Sequence, residues 1–289
     1  MKAAFLTVVY PGIENFFEDF LLSLSEQTHS NFDLFVFNDG LSNLNQFIEN
    51  YQNRLNIVIE NTELSPVKIR EYGINKILNS GLYDAIIFGD SDDYFSKDRV
   101  LTNLRLLTSC DIVLNDLALV SQDKKMIDDN YLSNRLIDGQ VVNLDFVRDK
   151  NVFGLSNTAV STKNIDKVTF PEGLIALDWY FFSELLLKGF KANFSSEAKT
   201  YYRQHVSNTV GMREFSVNSM SRGINVKTLH YKALADIDSS YIELYRKFLQ
   251  LQKNIELDKD ALEHLYRKII NKNIMSPLWW ERECLPEMV

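Results

Sequence analysis

Long apolar runs are missing from this 289-residue chain. No stretch approaches the ~18 apolar residues of a membrane-crossing helix. Cysteine is nearly missing as well. Cys110 and Cys284 form neither a disulfide framework nor a metal-ligand spacing, which points to a reducing compartment and a cytoplasmic protein. Basic charge is in deficit: 31 Lys and Arg stand against 39 Asp and Glu, a net charge of -8 and a pI near 5.1. That argues against nucleic acid or an anionic membrane as partner. It does not exclude a nucleotide, because a bound metal can screen a diphosphate from the acids. There is no internal repeat and no low-complexity linker. A secretory leader is not expected, since the apolar run of residues 3–9 is short, ends in Tyr10-Pro11-Gly12 and lacks a small-residue cleavage site. A first strand fits it better.

What is present is an ample core, with 45% apolar residues, in a length that suits one large or two small domains. Residues 3–9, 33–37, 56–60 and 85–88 read as strands. Helical patterns lie between them: Phe16, Phe17, Phe20, Leu21 and Leu24 share one face, residues 44–51 follow, and Pro66 opens a helix that stops at Gly81. Strand and helix alternating in short periods predict a parallel sheet with right-handed crossovers. Beyond it, residues 111–120 read as a longer strand, 143–149 as helix, 156–161 as strand, 178–188 as an amphipathic helix stopped by Gly189, and 200–203 as a short strand. From about residue 215 the pattern is helical. Residues 215–289 carry 11 Lys and Arg against 10 Asp and Glu, leaving 20 against 29 for the remainder. The acidity therefore belongs to an α/β domain at 1–214, and 215–289 is a neutral helical extension. The extension is expected to pack on that domain or on a second copy of the chain, with Trp279 and Trp280 in packing or a dimer contact rather than as a membrane anchor.

The chain is organised around Ile86-Ile87-Phe88-Gly89-Asp90-Ser91-Asp92-Asp93. A short buried strand is followed at once by three carboxylates. In open α/β sheets ligands bind at the carboxyl ends of strands. Three packed acids repel one another unless a cation holds them, and oxygen-rich sites suit Mg²⁺ or Mn²⁺ with open positions for a diphosphate. The plainer alternative is a solvated acidic turn before a helix capped by Ser96 or Asp98. Both Asp92 and Asp93 are expected at a strand end and outside the core, so that their double replacement by Asn would spare the fold. Asp39, at the end of the second strand, suits a hydrogen bond to a base or ribose, or a simple Asp-Gly turn. Arg70 suits the carboxylates or a phosphate, or plain helix exposure. Asp178 opens an apolar helix, as a cap or as a general base, and Trp179 and Tyr180 beside it offer a flat surface for a sugar ring. Arg203 and His205 form a late basic pair.

Seven segments, in order over residues 3–205, together resemble the family 2 glycosyltransferases of GT-A fold. Thr7-Val8-Val9-Tyr10 resembles the opening strand, and Leu22 to Thr28 the "SLLNQT" helix end. Phe32 to Gly40 resembles "FEIIVVDDG", and Ile69 to Ile74 resembles "ARNYGI". Phe88 to Asp93 resembles the "LDADD" form of the DXD motif. Leu177-Asp178 with Lys188-Gly189 resembles the "ED … G" helix, and Tyr202 to His205 resembles "YRxH". The resemblance implies a Rossmann-like, mostly parallel sheet flanked by helices, and a metal-dependent, inverting transfer from a nucleotide diphosphate sugar, a UDP-sugar first, to a carbohydrate or lipid-linked acceptor. It places Thr7, Tyr10, Asp39, Arg70, Asp90, Ser91, Asp92 and Arg203 against the donor, Asp92, Asp93 and His205 on Mn²⁺ or Mg²⁺, and Asp178 as base. It implies bacterial surface polysaccharide or glycoconjugate synthesis in the cytoplasm, with at most peripheral contact at the inner face of the membrane. The chain departs from the pattern at Pro11, Asn38, Leu41 and Leu177. Two rivals remain: a nucleotide-sugar-binding relative without turnover, and a haloacid-dehalogenase-like phosphatase, whose Asp-x-Asp normally lies near the start of the chain.

Overall fold

The computed structural model describes residues 1–205, 216–257 and 259–271. Trp279, Trp280 and Cys284, and the expectations attached to the two tryptophans, lie outside the described residues. The first half runs β1 (Ala3–Val9), α1 (Glu14–Ser25), β2 (Phe32–Asn38), α2 (Leu44–Ile48), β3 (Asn56–Asn61), α3 (Pro66–Ser80), β4 (Ala85–Phe88), β5 (Tyr94–Phe95) and α4 (Arg99–Leu106). Then come β6 (Ile112–Ser121), β7 (Met126–Asp128), β8 (Val141–Val142), α5 (Leu144–Val147), β9 (Thr158–Ser161), α6 (Leu177–Leu187) and β10 (Ala192–Gln204). The helices α7 (Val217–Ala235), α8 (Ile242–Leu257) and α9 (Lys259–Asn271) follow.

Among the described residues, the strands join in the order β3-β2-β1-β4-β9-β6-β10-β5, with β7 on β6 and β8 on β10. The four strands β3, β2, β1 and β4 are parallel neighbours, and β6 and β10 are parallel as well. β9 runs antiparallel between β4 and β6. Every residue of β1 and β4 is buried, as strands covered by helices on both faces must be. On one face Phe5, Val36, Ile87 and Val113 pack with Phe17, Phe20 and Leu24 of α1 and Val100 and Leu104 of α4. Each such side chain, fully buried, stabilises by roughly 1.5–3 kcal/mol. On the other face α3 begins at Ser65, whose side chain accepts the Lys68 N–H, and ends at Gly81 in the left-handed conformation, φ 62°. Gly73 lets α3 close on β2: a Cβ there would lie 2.8 Å from the Phe37 ring.

The chain forms two compact units. The first is Met1–Asn143, Phe153–Phe170 and Gly189–Gln204; the second is Leu144–Val152, Pro171–Lys188 and His205–Val289. The segments carrying α5 and α6 thus group with the helices of the extension, which differs from a division at 214/215. In the second unit α6, expected to be amphipathic, is instead buried on nearly every side: only Asp178, Glu184 and Leu187 of this helix are half-buried, because its apolar residues are spread round the helix and do not form one stripe. Trp179 donates its indole N–H to Val147 O at 2.8 Å and stacks on His230, ring centroids 3.8 Å apart. Tyr231 of α7 reaches Arg148 O at 2.9 Å and packs on Phe248 of α8.

His230 gives this unit a pH dependence. It is buried, and neither ring nitrogen has a hydrogen-bond partner among the described residues. Burial, with the Lys227 charge adding to it, holds its pKa well below the ordinary 6.5. The folded state therefore keeps the ring neutral while the unfolded chain protonates it. Stability present above pH 6.5 is lost as the pH falls below that value, by up to about 1.4 kcal/mol per pH unit. The thermal midpoint, followed by circular dichroism, should fall between pH 7 and pH 5. His230→Phe, which keeps an aromatic ring on Trp179, should flatten that slope. Parallel profiles for the two proteins would assign the acid sensitivity elsewhere.

Candidate functional site

β1 and β4 are parallel neighbours, and the pairing continues one step past β4 through Gly89 N–H to Leu6 O at 3.1 Å. Only glycine fits there, since a Cβ would meet the Phe5 ring at 2.5 Å and the Phe95 ring at 2.7 Å. The chain then turns through Asp90-Ser91-Asp92-Asp93, closed by Asp93 N–H to Asp90 O at 3.1 Å. Ser91 is buried and donates its hydroxyl to Val8 O at 2.8 Å, tying the turn to the end of β1.

The three acids are not equivalent. Asp93 is fully buried; its Oδ1 accepts the Arg203 N–H at 2.8 Å and its Oδ2 accepts the Ser156 hydroxyl. Burial, then the charges of Asp92 and Asp90, push its carboxyl well above the usual range. Asp90 and Asp92 are only half-buried. The expectation that both Asp92 and Asp93 lie outside the core is therefore corrected for Asp93, because β9 starts at Thr158 and leaves Ser156 before it, its hydroxyl on that carboxylate.

Two buried guanidiniums brace this turn. Arg99, fully buried on α4, donates to Phe88 O at 2.6 Å and to Asn115 Oδ1 at 3.2 Å, and lies against the rings of Phe5 and Phe95. Burial pulls it down to about 9, against the opposing charges of Asp93 and Asp90. Arg203 donates from Nε to Asp92 O at 2.9 Å, and from its terminal nitrogens to Gln122 O at 2.8 Å and Asp19 Oδ2 at 2.7 Å. Part of the positive charge that three packed acids require is thus built into the protein. Sequence reasoning missed Arg99, Ser156 and Asp19. Arg99 had a signal, a cation one turn from Asn103 inside the apolar stripe of a helix, where charge must be paired.

Of the remaining expected donor residues, Tyr10 and Arg70 share the field of this turn, Asp39 lies at the end of the neighbouring strand β2, and Thr7 is set back. Asp39 follows β2, half-buried, its N–H on Val9 O at 2.8 Å. Gly40 beside it has φ 90°. Asn38 closes the same bend, accepting from Leu41 N–H at 2.8 Å and donating to Asn61 at 2.9 Å. Tyr10 feels burial first, then Asp92 and Asp90, which push its phenol up, while Arg70 opposes them. Tyr10, Arg70 and the acids thus share one field. Arg70 also donates to Pro66 O at 2.9 Å. Thr7 lies inside β1, buried, its hydroxyl without a hydrogen-bond partner among the described residues.

No protein-family model matches the chain, and no curated protein matches it by sequence. Solved structures do match. S. aureus TarS 1-349 in complex with UDP-GlcNAc aligns at TM-score 0.63 and 19% identity, over 86% of this chain and 72% of that one. A longer TarS chain aligns at TM-score 0.59 and 19% identity over 88% of this chain, which spans 43% of that protein's length. The mannosyltransferase PcManGT from Pyrobaculum calidifontis, in complex with GDP-Man and Mn²⁺, aligns at TM-score 0.56 and 12% identity, over 82% of this chain and 64% of that one. The fold is that of GT-A-type glycosyltransferases.

A metal is testable against the donor set. Among the described residues no three His, Cys, Asp or Glu group into a metal cage, and Asp93 has both oxygens engaged. Mg²⁺ and Mn²⁺ need less from the protein when a diphosphate is present, one or two carboxylates sufficing. The half-buried Asp90 and Asp92 fit that kind of shared site and not a closed one. His205, expected on the metal, follows β10 and belongs to the second unit.

Asp178 also belongs to the second unit. It sits one residue inside α6; the N-cap is Ala176, without a side-chain cap. Its Oδ1 accepts the Trp179 N–H at 2.8 Å, and the side chain is half-buried. Trp179 and Tyr180 are 1% and 4% exposed, so the expected flat surface for a sugar is absent. Both rings are among the side chains that α6 buries, while Asp178 and Glu184 stay half-buried.

Proposed function

We propose that this chain is a metal-dependent, inverting glycosyltransferase that moves a sugar from a nucleotide diphosphate sugar, UDP-linked first, to an acceptor hydroxyl. The observation that carries the reading is the half-exposed Asp90 and Asp92 at the carboxyl end of β4, next to Tyr10 and Asp39, in a fold shared with structures holding UDP-GlcNAc and GDP-Man. Asp39 reads the base, Asp90 the ribose, and Arg70 and Tyr10 face the phosphates. Asp92, supported by Asp90, would hold Mn²⁺ or Mg²⁺, which when bound would supply charge stabilisation for the departing diphosphate. The acceptor oxygen bonds to the anomeric carbon, the bond from that carbon to the phosphate oxygen breaks with its electron pair on the diphosphate, and Asp178 takes the acceptor proton. Attack opposite the leaving group inverts the configuration. The acceptor is a carbohydrate or lipid-linked hydroxyl of a surface polysaccharide or glycoconjugate, and the helical extension shapes that side or a homodimer contact.

The phosphatase alternative fits poorly, since the acidic turn follows β4 and the end of β1 carries Tyr10-Pro11. A thermal-shift panel of UDP-GlcNAc, other UDP-sugars and GDP-Man, with Mn²⁺ and with EDTA, tests the donor. A ligand present at 100 times its dissociation constant stabilises the folded state by about 2.7 kcal/mol. We expect a midpoint rise with a UDP-sugar and Mn²⁺ that EDTA removes. A panel without any shift would count against the donor site, and binding without transfer to any hydroxyl would favour a non-catalytic sugar-nucleotide binder.

A further inference from the structure

We infer that Arg99 sets the cation affinity of the donor site, keeping the acidic turn weak for a bare divalent ion so that metal and nucleotide diphosphate enter together; this rests on the donor reading above. Arg99 is the first residue of α4 and is 0% exposed. Its two acceptors are both neutral. Nη2 donates to Phe88 O, two residues before Asp90, and Nε donates to the Asn115 side chain of β6. Nη1 is buried without a hydrogen-bond partner among the described residues. None of the three nitrogens therefore meets a carboxylate there. The rings of Phe5 and Phe95 lie 5.5 and 4.3 Å from the guanidinium.

Buried charges are normally paired. Arg203, the other buried guanidinium, has Asp19 beside it. Arg99 has only the longer-range charges of Asp93 and Asp90, which oppose the pull of burial on it. The acidic turn is thus its counterion. Arg99 and a metal ion are attracted by the same acids, and a buried charge is little screened by salt. A bare divalent ion meets a turn that is already partly neutralised. A nucleotide diphosphate brings anionic oxygens of its own, and one or two carboxylates then suffice for the metal. Asn115 is the position that keeps Arg99 unpaired. Its Oδ1 accepts from Nε at 3.2 Å, and its Nδ2 is buried without a partner among the described residues. An aspartate at 115 would lose no side-chain hydrogen bond and would give the guanidinium an anion.

The test uses the full chain, with Mn²⁺ alone and Mn²⁺ at saturating UDP as probes in calorimetry. Arg99→Met removes the charge, and Asn115→Asp keeps the guanidinium but pairs it. Both should bind Mn²⁺ alone about tenfold more tightly than wild type, the scale of one unit charge acting on a divalent ion through the protein interior. Arg99→Lys keeps the charge and should stay within about threefold of wild type. The factor by which UDP tightens Mn²⁺ should shrink in the first two variants and persist in the third. An Arg99 that only braces Phe88 O would lower the thermal midpoint of Arg99→Met, and Asn115→Asp, its brace intact, would bind Mn²⁺ as wild type does. Folded Arg99→Met or Asn115→Asp protein with wild-type affinity for Mn²⁺ alone overturns the inference. If one of the two does not fold, the other decides. Wild-type protein in which saturating UDP improves Mn²⁺ binding by less than about tenfold overturns it whatever the variants show. Wild-type protein that binds no UDP, with or without Mn²⁺, overturns the donor reading itself.

Discussion

Asp178→Asn should lower sugar transfer by about 10²–10⁴ at saturating donor and metal, the usual loss when a general base is removed. UDP affinity should be unchanged, because the proposed donor contacts lie at the ends of β1, β2 and β4. The substitution isolates proton transfer. Asp178 is not the helix cap, since Ala176 holds that position. Its Oδ1 accepts the Trp179 N–H at 2.8 Å, a contact an amide oxygen can also make. The rest of the α6 turn is fixed by burial of Trp179, Tyr180 and Phe181, which the change does not touch. Fold and thermal midpoint should therefore stay close to wild type, with turnover the quantity that moves. A rate near wild type would move the base elsewhere. Glu172 would then be the next candidate, ahead of Glu184, whose carboxylate pairs with Lys188 at 2.8 Å.

Much of the first unit was legible because its signals are local. β1 and β4 are unbroken apolar runs, α3 carries its own start in Ser65-Pro66 and its own stop in Gly81, and the acids after β4 stand out by composition. What escaped depends on contacts far apart in the chain. β10 was expected as four residues and spans Ala192–Gln204, because its pairing with β6 shifts register between Ser195 and Lys199 and breaks the alternation. β5, β7 and β8 are too short to show any period. α6, buried on nearly every side, gives no sign of which unit it serves, and it groups with the extension. In the site, sequence could name Asp90, Asp92 and Asp93 but not rank them. The ranking comes from Ser156, 63 residues on, and Arg203, 110 residues on. Arg203 itself, a cation near an acidic motif, suggested a phosphate ligand until its acceptors on Asp92, Gln122 and Asp19 were visible.

That ranking separates two substitutions that the sequence treats alike. Asp92→Asn should abolish metal-dependent UDP binding and transfer, by roughly 10²-fold or more, as losing a ligand to a charge-stabilising metal implies. It should cost the fold less than a change at Asp93, because the half-buried Asp92 keeps the backbone carbonyl that Arg203 holds. Asp93→Ala should do the reverse. It strips a buried acceptor from the Ser156 hydroxyl and from the Arg203 N–H, and each orphaned donor costs about 1–3 kcal/mol. It also removes negative charge near the buried Arg99, which Asp93 helps to keep protonated. The expected outcome is a large loss of stability, with Mn²⁺-dependent UDP binding retained in whatever fraction folds. Thermal melts beside calorimetry on the two variants read both quantities. If Asp93→Ala melted like wild type but lost the metal dependence, the cation would have to sit on Asp93, and the buried pairing with Ser156 and Arg203 would be a state that metal binding breaks.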